Sequence, residues 1–166
     1  PPVSCGEPVG AFLSMARHVR QLHVAFALIE RRGQYLICQR PPGTHLGGYW
    51  EFPGGKREPG ETWVACLRRE LQEELGVGLR NVRPMTTIRH RYPNRLITFK
   101  VFRCQAVGSP KTLQPQQIKW VRASRLRRYR FPPADQGLID LLACTARSNG
   151  DIIRTSVTQQ GGQRNR

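Results

Sequence analysis

Apolar residues alternate in blocks along the 166-residue chain, and the blocks change period part-way. Leu22 to Glu30 is a largely apolar run, Arg31-Arg32-Gly33 reads as a turn, and Gln34 to Cys38 returns, which together predict a β-hairpin. Pro41-Pro42-Gly43 through Gly47-Gly48 is rich in breakers and predicts an exposed, mobile loop. Tyr49-Trp50-Glu51-Phe52 is a short strand running into Pro53-Gly54-Gly55, with one pair of alternate side chains directed to the core and the other free to line a pocket.

From Thr62 the period lengthens. Val64, Leu67, Leu71 and Leu75 recur at helical spacing and Gly76 supplies a stop, so Thr62 to Leu75 is expected to be an amphipathic helix. Alternation resumes in Met85 to Arg91 and Leu96 to Ala106, separated by a turn at Tyr92-Pro93-Asn94-Arg95, and again in Ile118 to Val121. Leu138, Ile139, Leu141 and Leu142 mark a second amphipathic helix behind Phe131-Pro132-Pro133-Ala134-Asp135. Residues 1–20 are expected to form a flexible lead segment, residues 21–144 one domain, and residues 145–166 a polar, basic, disordered tail.

Composition alters this picture in two places. The chain is 39% hydrophobic, with no apolar run of membrane-spanning length, so a soluble, cytoplasmic protein is expected. Five scattered cysteines without a Cys-x-x-Cys pair point to inert thiols in a reducing compartment. The net charge of +16 is uneven: no Asp or Glu occurs from Leu75 through Ala134, while fourteen Lys and Arg lie between Arg80 and Arg130. Such a surface attracts polyanions, whether a nucleoside triphosphate or nucleic acid, or is simply a solvated basic face.

The chemistry concentrates on the first helix. Glu70, Glu73 and Glu74 stand at i, i+3 and i+4, within about 100° of arc. Carboxylates so close repel, and a hard divalent cation converts that cost into oxygen ligation; Mg²⁺ is the expected ion, with Mn²⁺ a substitute. Glu61 is placed to open the helix near its positive end, Arg69 to orient a glutamate, and Gly54 and Gly55 to let the backbone approach an ion or a phosphate.

Gly55, Glu61 and Arg69-Glu70-Leu71-Gln72-Glu73-Glu74-Leu75-Gly76-Val77 match every constrained position of the Nudix box. Over residues 21–143 the chain resembles the MutT branch of that family, through Cys38-Gln39-Arg40, Tyr49 to Lys56 and Phe131 to Asp135. The resemblance implies an α/β (α+β) fold, a Nudix-type α/β/α sandwich with a mixed central sheet and a loop-helix after a short strand. It implies that Glu73 and Glu74 bind the metal with the Gly54 carbonyl, that Glu70 is general base or further ligand, and that Glu61 and Arg69 support them. Water would attack a substrate phosphorus, releasing pyrophosphate from an oxidised guanine nucleotide such as 8-oxo-dGTP.

Beyond the box, Arg40 stands where this branch has an arginine near the purine, and Asp135 where a residue reads the base; Asp135 is also suited to cap the following helix. His45, in the glycine-rich loop, is a candidate for phosphate contact or an ordinary solvated histidine. The carboxylate that MutT-like enzymes add from outside the box maps near Gln105, so the box is expected to supply the catalytic acids. Alternatives within the chemistry are CTP-like nucleotides, dinucleotides, nucleotide sugars and RNA 5′ ends. A non-catalytic nucleic-acid-binding module of the same fold is the alternative outside it. Oligomeric state is left open.

Overall fold

The computed structural model describes residues 20–113 and 117–145. The expected flexible lead and polar tail therefore lie outside the described residues, except that Arg20 already belongs to a strand and Thr145 to a helix. Seven strands form one mixed sheet: β1 (Arg20–Arg31), β2 (Gln34–Gln39), β3 (Trp50–Glu51), β4 (Gly54–Lys56), β5 (Gly78–Tyr92), β6 (Arg95–Val107) and β7 (Gln117–Arg122). Helix α1 (Trp63–Leu75) follows β4, and a second helix, α2, runs over residues 136–145.

The long strand β1 organises the sheet. One edge pairs in parallel with β6 from Arg20↔Arg95 to Ile29↔Cys104, and β5 pairs antiparallel outside β6. The other edge is shared: its beginning pairs with β4 at Val24↔Lys56 to Phe26↔Gly54, and its end pairs with β2 at Glu30↔Tyr35. The predicted hairpin is present, with Arg32 and Gly33 both at positive φ (52° and 70°), as a two-residue turn requires.

Alternation along β1 separates two cores. Phe26 and Leu28 face one side with Ile37, Phe52, Val101 and Leu138, while Ala25, Ala27 and Ile29 face the other with Leu67, Leu71 and Leu75 of α1. The result is the expected sandwich, with α1 against one face and α2 against the other.

Three elements differ from the sequence reading. Strand β5 begins at Gly78 rather than Met85, because β6 hydrogen-bonds a polar stretch containing Pro84, with irregular register between Arg80 and Arg83 and between Pro84 and Thr86. Gly54–Lys56 is a strand, not a loop end. Ala123–Arg128 is a 3₁₀ helix between β7 and the Phe131 segment, with no apolar period to announce it.

Candidate active site

Two glycines seat α1 against the sheet. A Cβ on Gly54, whose φ is 136°, would collide with the Ala25 carbonyl on β1. A Cβ on Gly55 would collide with the Glu70 carboxylate instead. Strand β4 thus lies tight on β1 while Glu70 lies tight on Gly55. Thr62 caps the helix by accepting from the Ala65 N–H at 3.1 Å, and Gly76, at φ 63°, ends it with its N–H bonded to the Gln72 carbonyl.

Glu61 stands just before the start of the helix. It sits in the turn before the cap, accepts the Glu58 N–H, and binds Arg69 through both oxygens at 3.0 and 3.2 Å. Thr62 has taken the capping position, so the Glu61 carboxylate is free to pair.

Arg69 spends every nitrogen. Besides Glu61 it donates to Glu70 at 3.0 Å, to Glu73 at 3.3 Å and to the Lys56 carbonyl at 3.1 Å. Three carboxylates from two elements thus gather on one guanidinium, which raises the arginine's already high pKa and holds Glu61 below the usual range. Glu74 points elsewhere: its Oε2 accepts the Gly54 N–H at 3.4 Å. Burial, opposed by that hydrogen bond, pushes Glu74 up to about 7, and burial likewise raises Glu70 against the pull of Arg69.

Among the described residues no three acidic, histidine or cysteine side chains converge tightly enough to enclose an ion. The glutamates repel one another and Arg69 is the cation they gather around. The donor set nonetheless fits a hard divalent cation: carboxylate oxygens on adjacent turns, one of them with its ionised form disfavoured by burial, beside a strand stripped of Cβ atoms.

A second polar group lies across the sheet edge. Arg40, at the end of β2, donates to Glu51 on β3 at 2.7 Å and to the His45 carbonyl at 2.8 Å. The loop expected to be mobile is closed by this bond and by Arg40 N–H to Tyr49 and Gly48 N–H to Arg40 backbone bonds. His45 supplies its carbonyl to this network, while its side chain is exposed.

Asp135 is 3% exposed, and its Oδ2 is buried without a hydrogen-bond partner. That oxygen caps nothing, because no donor of the following helix reaches it. Desolvation first, then the Glu51 charge, pushes it up to about 7 against the pull of Arg40. Glu51 also raises Glu74, so a line of mutually sensed charges runs from the helix glutamates through Glu51 and Arg40 to Asp135.

Glu51 was not among the expected site residues. The signal was present, since Trp50 and Phe52 are buried and their strand neighbour must face away from that core, toward β2 and Arg40. Gln105 stands apart, accepting from Arg80 and Asn81. Cys38, Cys66 and Cys104 are buried free thiols, all with raised pKa values chiefly from burial, which suits the inert role expected.

The family model of the NUDIX domain matches residues 24–141, which include both halves of this site. The chain is a member of the NUDIX domain family. Among Nudix relatives, the 8-oxo-dGTP diphosphatase of Proteus vulgaris is 43% identical over 84 residues, covering 50% of this chain and 75% of that one. The CTP pyrophosphohydrolase of Escherichia coli strain K12 is 31% identical over 123 residues, covering 74% and 91%. A solved MutT chain, described for Aliivibrio salmonicida and Vibrio cholerae, superposes with TM-score 0.66 at 28% identity, covering 76% of this chain and 99% of its own. The Nudix fold read from the sheet and helix is thereby shared with MutT.

Proposed function

We propose that this Nudix hydrolase is a divalent-metal-dependent nucleoside triphosphate pyrophosphohydrolase acting on an oxidised purine nucleotide, converting 8-oxo-dGTP to 8-oxo-dGMP and pyrophosphate. The observation that carries the substrate class is the orphaned, buried Asp135 carboxylate at the end of the charge line. An ionised carboxylate only accepts hydrogen bonds, and the guanine edge offers two donors, at N1 and N2. Arg40, tethered to Glu51, is the cation whose charge reaches Asp135 and would face the purine.

Glu73, Glu74 and the Gly54 carbonyl would hold Mg²⁺, or Mn²⁺ in its place, with Glu70 as a further ligand or as the base. When bound, that ion supplies neutralisation of the charge developing on the phosphate oxygens. Glu70, packed on the Gly55 backbone and oriented by Arg69, takes the proton from the attacking water. Glu61 holds Arg69 from the opposite side, keeping Glu70 aimed. Gly55 leaves room for the Glu70 carboxylate.

The discriminating measurement is the hydrolysis of 8-oxo-dGTP, dGTP and CTP with and without Mg²⁺. A clear preference for 8-oxo-dGTP that requires the metal is expected; equal rates on all three reject the base assignment. The likeness to the CTP pyrophosphohydrolase favours a second reading in which CTP is the preferred substrate, and the same panel separates the two.

A further inference from the structure

Away from the glutamates, the far end of the sheet carries a chain of three depressions. The first, about 500 Å³, is lined by Arg32 of the β1–β2 turn, Arg83 of β5 and Arg103 of β6, over a floor of Asn81 and Gln105. Arg83 and Arg103 are directly opposite in the β5–β6 register. The second, about 230 Å³, shares Glu30 and Gln105 with the first and adds Arg31, Arg80 and Trp120. The third, about 310 Å³, shares Trp120 with the second and adds Arg122, Arg125 and Tyr129.

The trench thus carries seven arginines and one carboxylate, Glu30. All seven are exposed, and among the described residues none forms an ion pair; the arginines that do, Arg40, Arg69 and Arg127, lie elsewhere. Uncompensated like charges held this close repel, and a polyanion relieves that repulsion while releasing its own counter-ions.

The floor is built rather than incidental. Asn81 adopts φ 54°, the left-handed region that asparagine enters more readily than other residues with a Cβ, at the irregularity between Arg80 and Arg83. The distortion brings Asn81 Nδ2 and Arg80 Nε onto the same Gln105 oxygen, at 3.2 and 3.0 Å, and leaves the Arg83 side chain to the trench. Two half-buried rings line the depressions from the two sides of the sheet: Trp120, with the Arg31 guanidinium 5.0 Å from its ring centre, and Tyr129, with Lys119 Nζ 5.7 Å from its own. Arginines beside ring faces suit a strand whose bases are unpaired, because phosphates meet the cations and a base can stack on a ring.

We infer that this trench binds single-stranded nucleic acid along its phosphodiester backbone, independently of the nucleotide-hydrolysing site. The test is fluorescence anisotropy of labelled single strands of about 16 nucleotides, as DNA and as RNA, titrated at several salt concentrations. Arg83→Glu with Arg103→Glu is compared with Arg89→Glu with Arg91→Glu, which makes the same charge change on another part of β5. Arg32→Gly is a gentler variant, because φ 52° suits glycine.

The expected result is at least a tenfold loss of strand affinity in the first pair. The log–log salt slope flattens by about 1.4, roughly 0.7 for each phosphate contact removed. Arg32→Gly is expected to lose affinity in the same direction, the Arg89/Arg91 pair to keep most of it, and kcat for nucleotide hydrolysis to be unchanged throughout. Equal losses in both charge-reversed pairs would mean that total charge alone is at work. Displacement of the strand by excess dGTP would place binding in the cleft, and tighter binding of a duplex would remove the single-strand assignment. Any of these overturns the inference, as does undiminished affinity in Arg32→Gly.

Discussion

Gly54 and Gly55 are adjacent and chemically identical, yet they fail differently when replaced. Alanine at Gly55 meets the far end of a flexible glutamate, which can swing away, so folding is nearly unaffected while Glu70 is displaced. Alanine at Gly54 meets the fixed backbone of Ala25 and also suffers the φ of 136°. Gly55→Ala is therefore expected to keep its melting temperature within a few degrees and lose kcat; Gly54→Ala is expected to lose melting temperature first. Glu70→Gln removes the proposed proton acceptor but keeps the shape, with an expected fall in kcat of about 10²–10⁴-fold and a native circular dichroism spectrum. Near wild-type turnover in that variant would remove Glu70 from the base role.

Asp135 yields a pH prediction at the same scale. Its folded-state pKa of about 7 stands above the ordinary value of 3.8, owing to burial and Glu51, with Arg40 opposing. Between these pH values the folded protein retains a proton that the unfolded chain has released. The group's contribution is therefore complete below pH 3.8 and lost as pH rises through about 7. Asp135→Asn is expected to melt with the wild type below pH 3.8, already above it at pH 5 and further above it at pH 8. Because a guanine edge needs the ionised acceptor, KM for the guanine nucleotide is expected to rise below pH 7 in the wild type and to be flat in Asp135→Asn.

At the level of elements, α1 was readable because its signals agree: Thr62 as cap, apolar residues at helical spacing, and Gly76 as stop. Val64 packs half-buried against the same core as the three leucines, and Cys66 joins them fully inside. Strand β4 was not readable, since two glycines and a lysine have no strand propensity and are held by pairing to β1. The polar half of β5 was hidden for the same reason, its pairing being supplied by β6. Helix α1 packs through Leu67, Leu71 and Leu75, each fully buried. Leu71→Ala is expected to cost about 2–5 kcal/mol in a denaturant melt. It would also weaken catalysis indirectly, because Glu70 and Glu74 flank the same buried face and reach β4 from it.

For the whole molecule, the +16 charge has a kinetic consequence. A positive surround raises the encounter rate of a triphosphate, so kcat/KM is expected to fall with ionic strength while kcat stays level. Chelation by EDTA is expected to abolish hydrolysis but leave the far-UV spectrum intact, since the two apolar cores on either side of the sheet hold the fold without the glutamates.

The sequence by itself determined the box and its spacing, because covalent order along one helix places Glu70, Glu73 and Glu74 with no need of distant partners. It also marked Arg40 and Asp135 as positions of interest. Only the tertiary structure decided that Glu61 serves Arg69, that Glu51 joins the site, and that Asp135 is buried without a partner. Those properties depend on which strands share the edge of β1 and on how much water the packed sheet leaves, and neither is written in local periodicity. The trench of arginines is likewise a product of register, since Arg83 and Arg103 lie twenty residues apart in the chain and become neighbours only across paired strands.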